Sequence, residues 1–167
     1  VFNSTYDAMA DKIFRDLRYT TENGEIALVI DENNRVQAPD LLASALIRYG
    51  RVPPAIQEML IRSIKHPDAE VAGNAIKTLG YLFKAMPQYA QDTINNASPD
   101  MQMALTAVDV TFGTDGMGDG ARVNQVKAAM MLPTIEAPTS AWEQFNADGW
   151  DREEQSTLLM GKIREEL

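Results

Sequence analysis

Apolar residues recur at helical spacing from the start of the chain. Tyr6, Met9, Ala10, Ile13 and Leu17 follow Ser4, a favourable N-cap, with Asp7 three residues later. This spacing predicts a helix from about Thr5 to Tyr19. Between Glu25 and Ala38 the period changes. Ile26, Leu28 and Ile30 alternate with other residues, and Asp31-Glu32-Asn33-Asn34 carries turn chemistry before Arg35-Val36-Gln37. A short β-hairpin is expected over about 25–38, one that must pack on something else to persist.

From Pro39 to Leu132 the pattern is helical throughout, and it repeats. Ala38-Pro39-Asp40, His66-Pro67-Asp68 and Ser98-Pro99-Asp100 are three x-Pro-Asp triplets, set 28 and 32 residues apart. Proline suits the first helical position, and an acid in the first turn suits the positive end of the helix dipole. Each triplet leads into an apolar stripe that ends in glycine: Leu41 to Gly50, Val71 to Gly80 and Met103 to Gly113. A second helix is expected after each, over Pro54 to Ile64, Pro87 to Ile94 and Ala121 to Leu132, with Pro133 stopping the last. Helix pairs at a period near 30 residues are the mark of a short α-solenoid, in which stacked pairs bury a shared core.

The stretch Pro67-Asp68-Ala69-Glu70-Val71-Ala72-Gly73-Asn74-Ala75-Ile76-Lys77-Thr78-Leu79-Gly80 resembles the second-helix consensus of HEAT-type and related α-helical repeats. It has their Pro-Asp turn, their apolar core and their Leu-Gly ending. It departs from them at Gly73, where those repeats usually carry a basic residue. The likeness weakens over Pro99 to Gly113 and covers about half the chain. It implies a mainly α fold, either a short helical repeat or an irregular helical bundle, that binds partners over its helical surfaces.

Beyond Leu132 the composition shifts. Pro133 to Ser140 reads as an extended linker, and Trp142, Phe145 and Trp150 follow. A last helix is expected from about Arg152 to Glu166, with Asp151 and Glu154 as a capping box and a thin stripe of Leu158, Leu159, Ile163 and Leu167. The expected organisation is a helical domain over 1–132 and a linker with a C-terminal arm over 133–167.

Charge separates these parts. The 167 residues carry a net charge of −9, and residues 133–167, with three basic and eight acidic side chains, hold −5 of it. Such a surface repels nucleic acid and anionic membranes. No apolar run approaches the roughly 20 residues that span a bilayer. No signal-peptide pattern opens the chain, so a soluble protein of the cytoplasm or of a particle is expected, with the periplasm equally compatible. With no cysteine and one histidine, the sequence excludes thiol catalysis, cysteine zinc sites, iron–sulfur clusters and any site built on a His pair. No cofactor is expected.

His66 reads as a solvated turn residue rather than a general base, because Ala38 and Ser98 take its place in the other triplets. In Thr114-Asp115-Gly116-Met117-Gly118-Asp119-Gly120, Asp115 and Asp119 are weak candidates for oxygen ligands of a cation. The loop lacks the alternating acids and the distal Glu of a calcium loop, and a plain inter-helix connection is the simpler reading. Arg48 and Arg51 are expected at one end of a helix pair and Arg62 and Lys65 at the other, which argues against a single basic patch. The methionines, including Met101, Met103, Met130 and Met131, read as core filler. Trp142, Phe145, Trp150, Leu158, Leu159 and Ile163 are the candidate partner contacts, as apolar anchors on an arm.

No nucleophile–base set and no nucleotide loop is present. The expected role is a non-catalytic interaction or structural subunit of a larger assembly, such as a viral or phage particle or another homo-oligomer, with the C-terminal arm contacting a neighbour. A soluble adaptor or chaperone-like binding domain is the alternative, and a carboxylate-based enzyme on a helical scaffold comes third.

Overall fold

The computed structural model describes residues 4–131. In chain order the elements are α1 (Ser4–Arg15), β1 (Arg18–Thr20), β2 (Ile26–Leu28), α2 (Pro39–Tyr49), α3 (Pro54–Ser63), α4 (Ala69–Ala85), α5 (Pro87–Asn95), α6 (Pro99–Phe112) and α7 (Asp119–Met131). The fold is mainly α with one small antiparallel hairpin near the N-terminus, the class the apolar periodicity predicts. Among the described residues no helix is long and apolar enough to cross a membrane. The linker expected at 133–140 and the helix expected at 152–166 lie outside the described residues.

The N-terminal region departs from the sequence reading in two ways. α1 stops at Arg15 instead of Tyr19, and Arg18–Thr20 becomes a strand paired with β2 in the register Arg18↔Leu28, Tyr19↔Ala27, Thr20↔Ile26. Leu17 continues the helical spacing and so masks the change. The turn between the strands uses Gly24 at φ +81°, and the Thr21 backbone N–H donates to the Glu25 carbonyl. The expected pairing across Asp31–Asn34 exists only as a bridge between Ile30 and Val36. There the Asp31 carboxylate accepts from the backbone N–H groups of Asn33 and Arg35, while Asn34 takes a left-handed φ of 61°. Val29, Ile30 and Val36 are buried, and the Asn74 side-chain amide donates to the Val36 carbonyl at 2.8 Å. The hairpin region therefore persists by packing on α4, which supplies the support an isolated hairpin lacks.

The three helices that follow the x-Pro-Asp triplets are spatial neighbours: α4 lies against α2 on one side and α6 on the other. α3 and α5 also pack on α4. Helix α7 runs antiparallel to α4. At one end Tyr81 of α4 donates its hydroxyl proton to Asp119 of α7, and at the other Lys127 Nζ donates to the Ala69 carbonyl at 2.9 Å. Helix α4 is thus covered around most of its circumference. Its buried residues include Val71, Ala72, Ala75, Ile76, Thr78, Leu79, Leu82 and Phe83, far more than one amphipathic stripe supplies.

The repeat is less regular in detail than in sequence. Pro39 and Pro99 open their helices at the first helical positions, as expected. In the middle copy Pro67 stays outside, and Asp68 is the N-cap, its carboxylate accepting from the backbone N–H groups of Glu70 and Val71. The three terminal glycines also differ. Gly50 is a left-handed C-cap at φ 80°, and Gly113 caps α6 in a right-handed conformation. Gly80 ends nothing, because α4 continues to Ala85. A β-carbon at Gly80 would stand closer to the Phe112 ring than non-bonded carbons approach. Glycine is there so that α6 can press an aromatic ring onto the α4 backbone.

Candidate interaction surface

The N-terminal helix carries apolar side chains on two faces. Ala10 and Phe14 point into the core, each 4% exposed. Tyr6, Met9 and Ile13, which the spacing alone assigns to the same stripe, are 60%, 58% and 61% exposed. Successive spacings of three and four residues place those three together on one outward face. Among the contacts that fix the helix to the body are an ion pair and an aromatic pair. Asp7 accepts two hydrogen bonds from the Arg51 guanidinium, each 3.1 Å long, and the Phe14 ring meets Tyr49 edge-on at 5.6 Å. The Asp7 hydrogen bond raises the Arg51 pKa above its ordinary value, the direction expected for a guanidinium facing a carboxylate.

Between α1 and α2 lies a groove of about 590 Å³. Its floor is apolar, with Phe14 and Val29 buried and Leu17 and Ala45 half-buried. Ile13 and Leu41 stand exposed along its edges. Leu41 is 49% exposed, whereas the sequence assigns it to the inward stripe of α2; Leu42, Ala43 and Leu46 are the residues that α2 buries. The exposed side chains of Arg18 and Arg48 also line this groove. Among the described residues neither has a carboxylate partner. The groove therefore offers an apolar floor with two positive charges, a combination that suits an acidic amphipathic segment.

The expected cation ligands are used differently. Asp119 opens α7, accepting from the Tyr81 hydroxyl through one oxygen and from Arg122 Nη1 at 3.2 Å through the other. Burial, reinforced by that hydrogen bond and by the Asp119 and Asp40 charges, holds the Tyr81 pKa well above its ordinary value. Asp115 lies exposed in the preceding turn. Among the described residues no three His, Asp or Glu side chains gather as a metal-binding group.

His66 accepts the Asp68 backbone N–H on its Nδ1 at 3.0 Å, so the lone histidine braces the turn into α4. The candidate basic residues are dispersed: Arg51 pairs with Asp7, Arg48 lines the α1–α2 groove, Arg62 lines a second cleft, and Lys65 is exposed and lines neither. Of the methionines read as core filler, Met101 and Met130 are half-buried, but Met103 is 52% and Met131 83% exposed. Trp142, Phe145, Trp150, Leu158, Leu159 and Ile163 lie outside the described residues. The outward row on α1 is the surface that sequence reasoning missed, since periodicity alone does not tell two neighbouring faces apart. The width of the apolar arc was its available signal.

The chain matches no protein-family model, no curated protein and no solved structure.

Proposed function

We propose that the chain is a non-catalytic interaction subunit that assembles with copies of itself, the α1–α2 groove of one copy receiving the acidic C-terminal segment of the next. The observation that carries this reading is the row of Tyr6, Met9 and Ile13, exposed on a helix whose neighbouring face, Ala10 and Phe14, is already committed to the core. Contiguous exposed apolar surface beside an apolar groove is the usual mark of an interaction site.

The choice of occupant follows from charge and composition. Residues 133–167 hold a net −5 together with Trp142, Phe145, Trp150, Leu158, Leu159 and Ile163, while the groove presents Arg18 and Arg48. Contact between a groove and an arm uses two different surfaces. Repeated from copy to copy, it closes into a ring or continues as an extended array. A ring, shell or particle is accordingly the kind of assembly proposed.

Light scattering on the full chain, on a chain ending at Leu132 and on Ile13→Asp provides the test. Ile13 is exposed, so its substitution spares the core. The proposal expects an oligomeric full chain and two monomeric variants. Monomers throughout, or oligomers that survive both changes, overturn it.

A further inference from the structure

A second cleft, of about 320 Å³, lies where the Asn33–Arg35 turn meets the end of α3 and the start of α4. Its lining brings together Asn33, Asn34 and Arg35 with Arg62 and His66, two separate stretches of the sequence. Among the described residues neither guanidinium is in an ion pair. Nor does any acidic residue line the cleft. In a chain of net charge −9, two arginines and the only histidine around one concavity run against the overall sign.

Each element of the cleft is held by bonds that leave the Arg35 and Arg62 guanidinium groups unused. Arg35 is fixed through its backbone, its N–H donating to the Asp31 carboxylate at 3.0 Å and its carbonyl accepting from the Asp31 N–H at 2.9 Å. His66 takes the Asp68 N–H on Nδ1, which puts the proton of the neutral ring on Nε2 and makes that nitrogen a donor. Asn34 Oδ1 accepts from Arg15 Nη1 at 2.6 Å, which holds the Asn34 side chain in place. Of the carboxylates beside the cleft in sequence, Asp31 accepts from the Asn33 and Arg35 N–H groups, Asp68 accepts from those of Glu70 and Val71, and Glu32 is exposed outside the lining.

We infer that the Arg35–Arg62–His66 cleft is an oxyanion-binding site whose ligand is a phosphate monoester. Guanidinium forks match phosphate oxygens in pairs, and the asparagine amides and the imidazole add neutral donors around them. The cleft lies apart from the α1–α2 groove and shares no lining residue with it, so this site does not depend on the assembly proposed above.

The experiment is NMR titration of the full chain with inorganic phosphate, an O-phosphoserine peptide and a sugar phosphate, followed through the amides of Asn33, Asn34, Arg35 and His66. Saturable shifts confined to this cleft are expected. Arg35→Ala and Arg62→Ala should each weaken binding by about tenfold, the loss of one charge-assisted contact. Both changes leave the backbone bonds of the turn intact, and an unchanged thermal midpoint verifies this. Tighter binding of the peptide names a phosphorylated protein as the source, and tighter binding of the sugar phosphate names a small metabolite. Shifts that do not saturate, that appear equally at Arg18 and Arg48, or that persist in the double variant overturn the site.

Discussion

Gly80 and Phe112 are in direct contact, the ring of α6 lying flush against the α4 backbone where any side chain larger than hydrogen would intrude. Phe112 is 1% exposed and is further enclosed by Tyr81, edge-on at 5.8 Å, and by the Arg122 guanidinium 5.7 Å from its centroid. Ala at position 80 has no empty direction to occupy. Gly80→Ala is therefore expected to lower stability by about 1–3 kcal/mol despite the better helix propensity of alanine. Gly73→Ala serves as its control, because a β-carbon there would sit 3.6 Å from Val123 in ordinary contact. That change should raise stability by about 0.5–1 kcal/mol. Urea denaturation of the two variants checks the opposite signs.

The N-cap of α4 makes stability depend on acid. The backbone N–H groups of Val71 and Glu70, with smaller help from the positive charge of Arg35, hold the Asp68 carboxyl below its ordinary value of 3.8. A depressed carboxyl stabilises the fold above its unfolded pKa and loses that contribution as pH falls through its folded pKa. Thermal melts should therefore show this contribution intact above about pH 4 and fading below it. In Asp68→Asn, which keeps a cap without a titrating group, this part of the acid dependence should disappear.

Alkali acts at the other end of α4. The Tyr81 hydroxyl, raised by burial and by its bond to Asp119, contributes stability fully below its ordinary value of 10.0 and loses it as pH rises beyond. Burial likewise pushes Tyr89 up to about 12, with Thr93 opposing. Tyr81→Phe should cost about 1–2 kcal/mol at neutral pH, the value of a hydrogen bond to a charged group. The same variant should show a smaller stability loss above pH 10.0, which chemical denaturation across that range measures.

The Asp7–Arg51 pair joins the first turn of α1 to the loop between α2 and α3. Its side chains are 18% and 33% exposed, so solvent screens much of the attraction. Asp7→Asn is expected to cost about 0.5–1 kcal/mol at low salt and less at 1 M salt. Hydrogen exchange should locate the effect in α1, with α4 unchanged.

Helix positions between Pro39 and Leu132 were legible because proline, glycine and a 3.6-residue apolar period mark them redundantly. The strand Arg18–Thr20 was hidden, since only Tyr19 of its three residues is half-buried and no alternation announces it. The role of Gly80 was hidden for a different reason: sequence shows a glycine after a leucine but not the ring that approaches it from α6. The α1–α2 groove was half legible. Its apolar residues appear in the periodicity, but which of them face outward depends on where α2 lies. Nothing in the order of residues brings Arg35 beside Arg62 and His66; only the fold of the Asn33–Arg35 turn over α3 does so.

Helix α4 gives the molecule a hub where a row of repeats would have only neighbours. In an open-ended array each unit leans on the next, and loss begins at an end and stops there. Here α2, α3, α5, α6, α7 and the hairpin region all take their places from one 17-residue element. Ala75, Ile76 and Leu79, all at 0% exposure, are then the last backbone amides to exchange, released only when the whole body opens. The body formed by the described residues should melt in one step, with no stable half-array left behind.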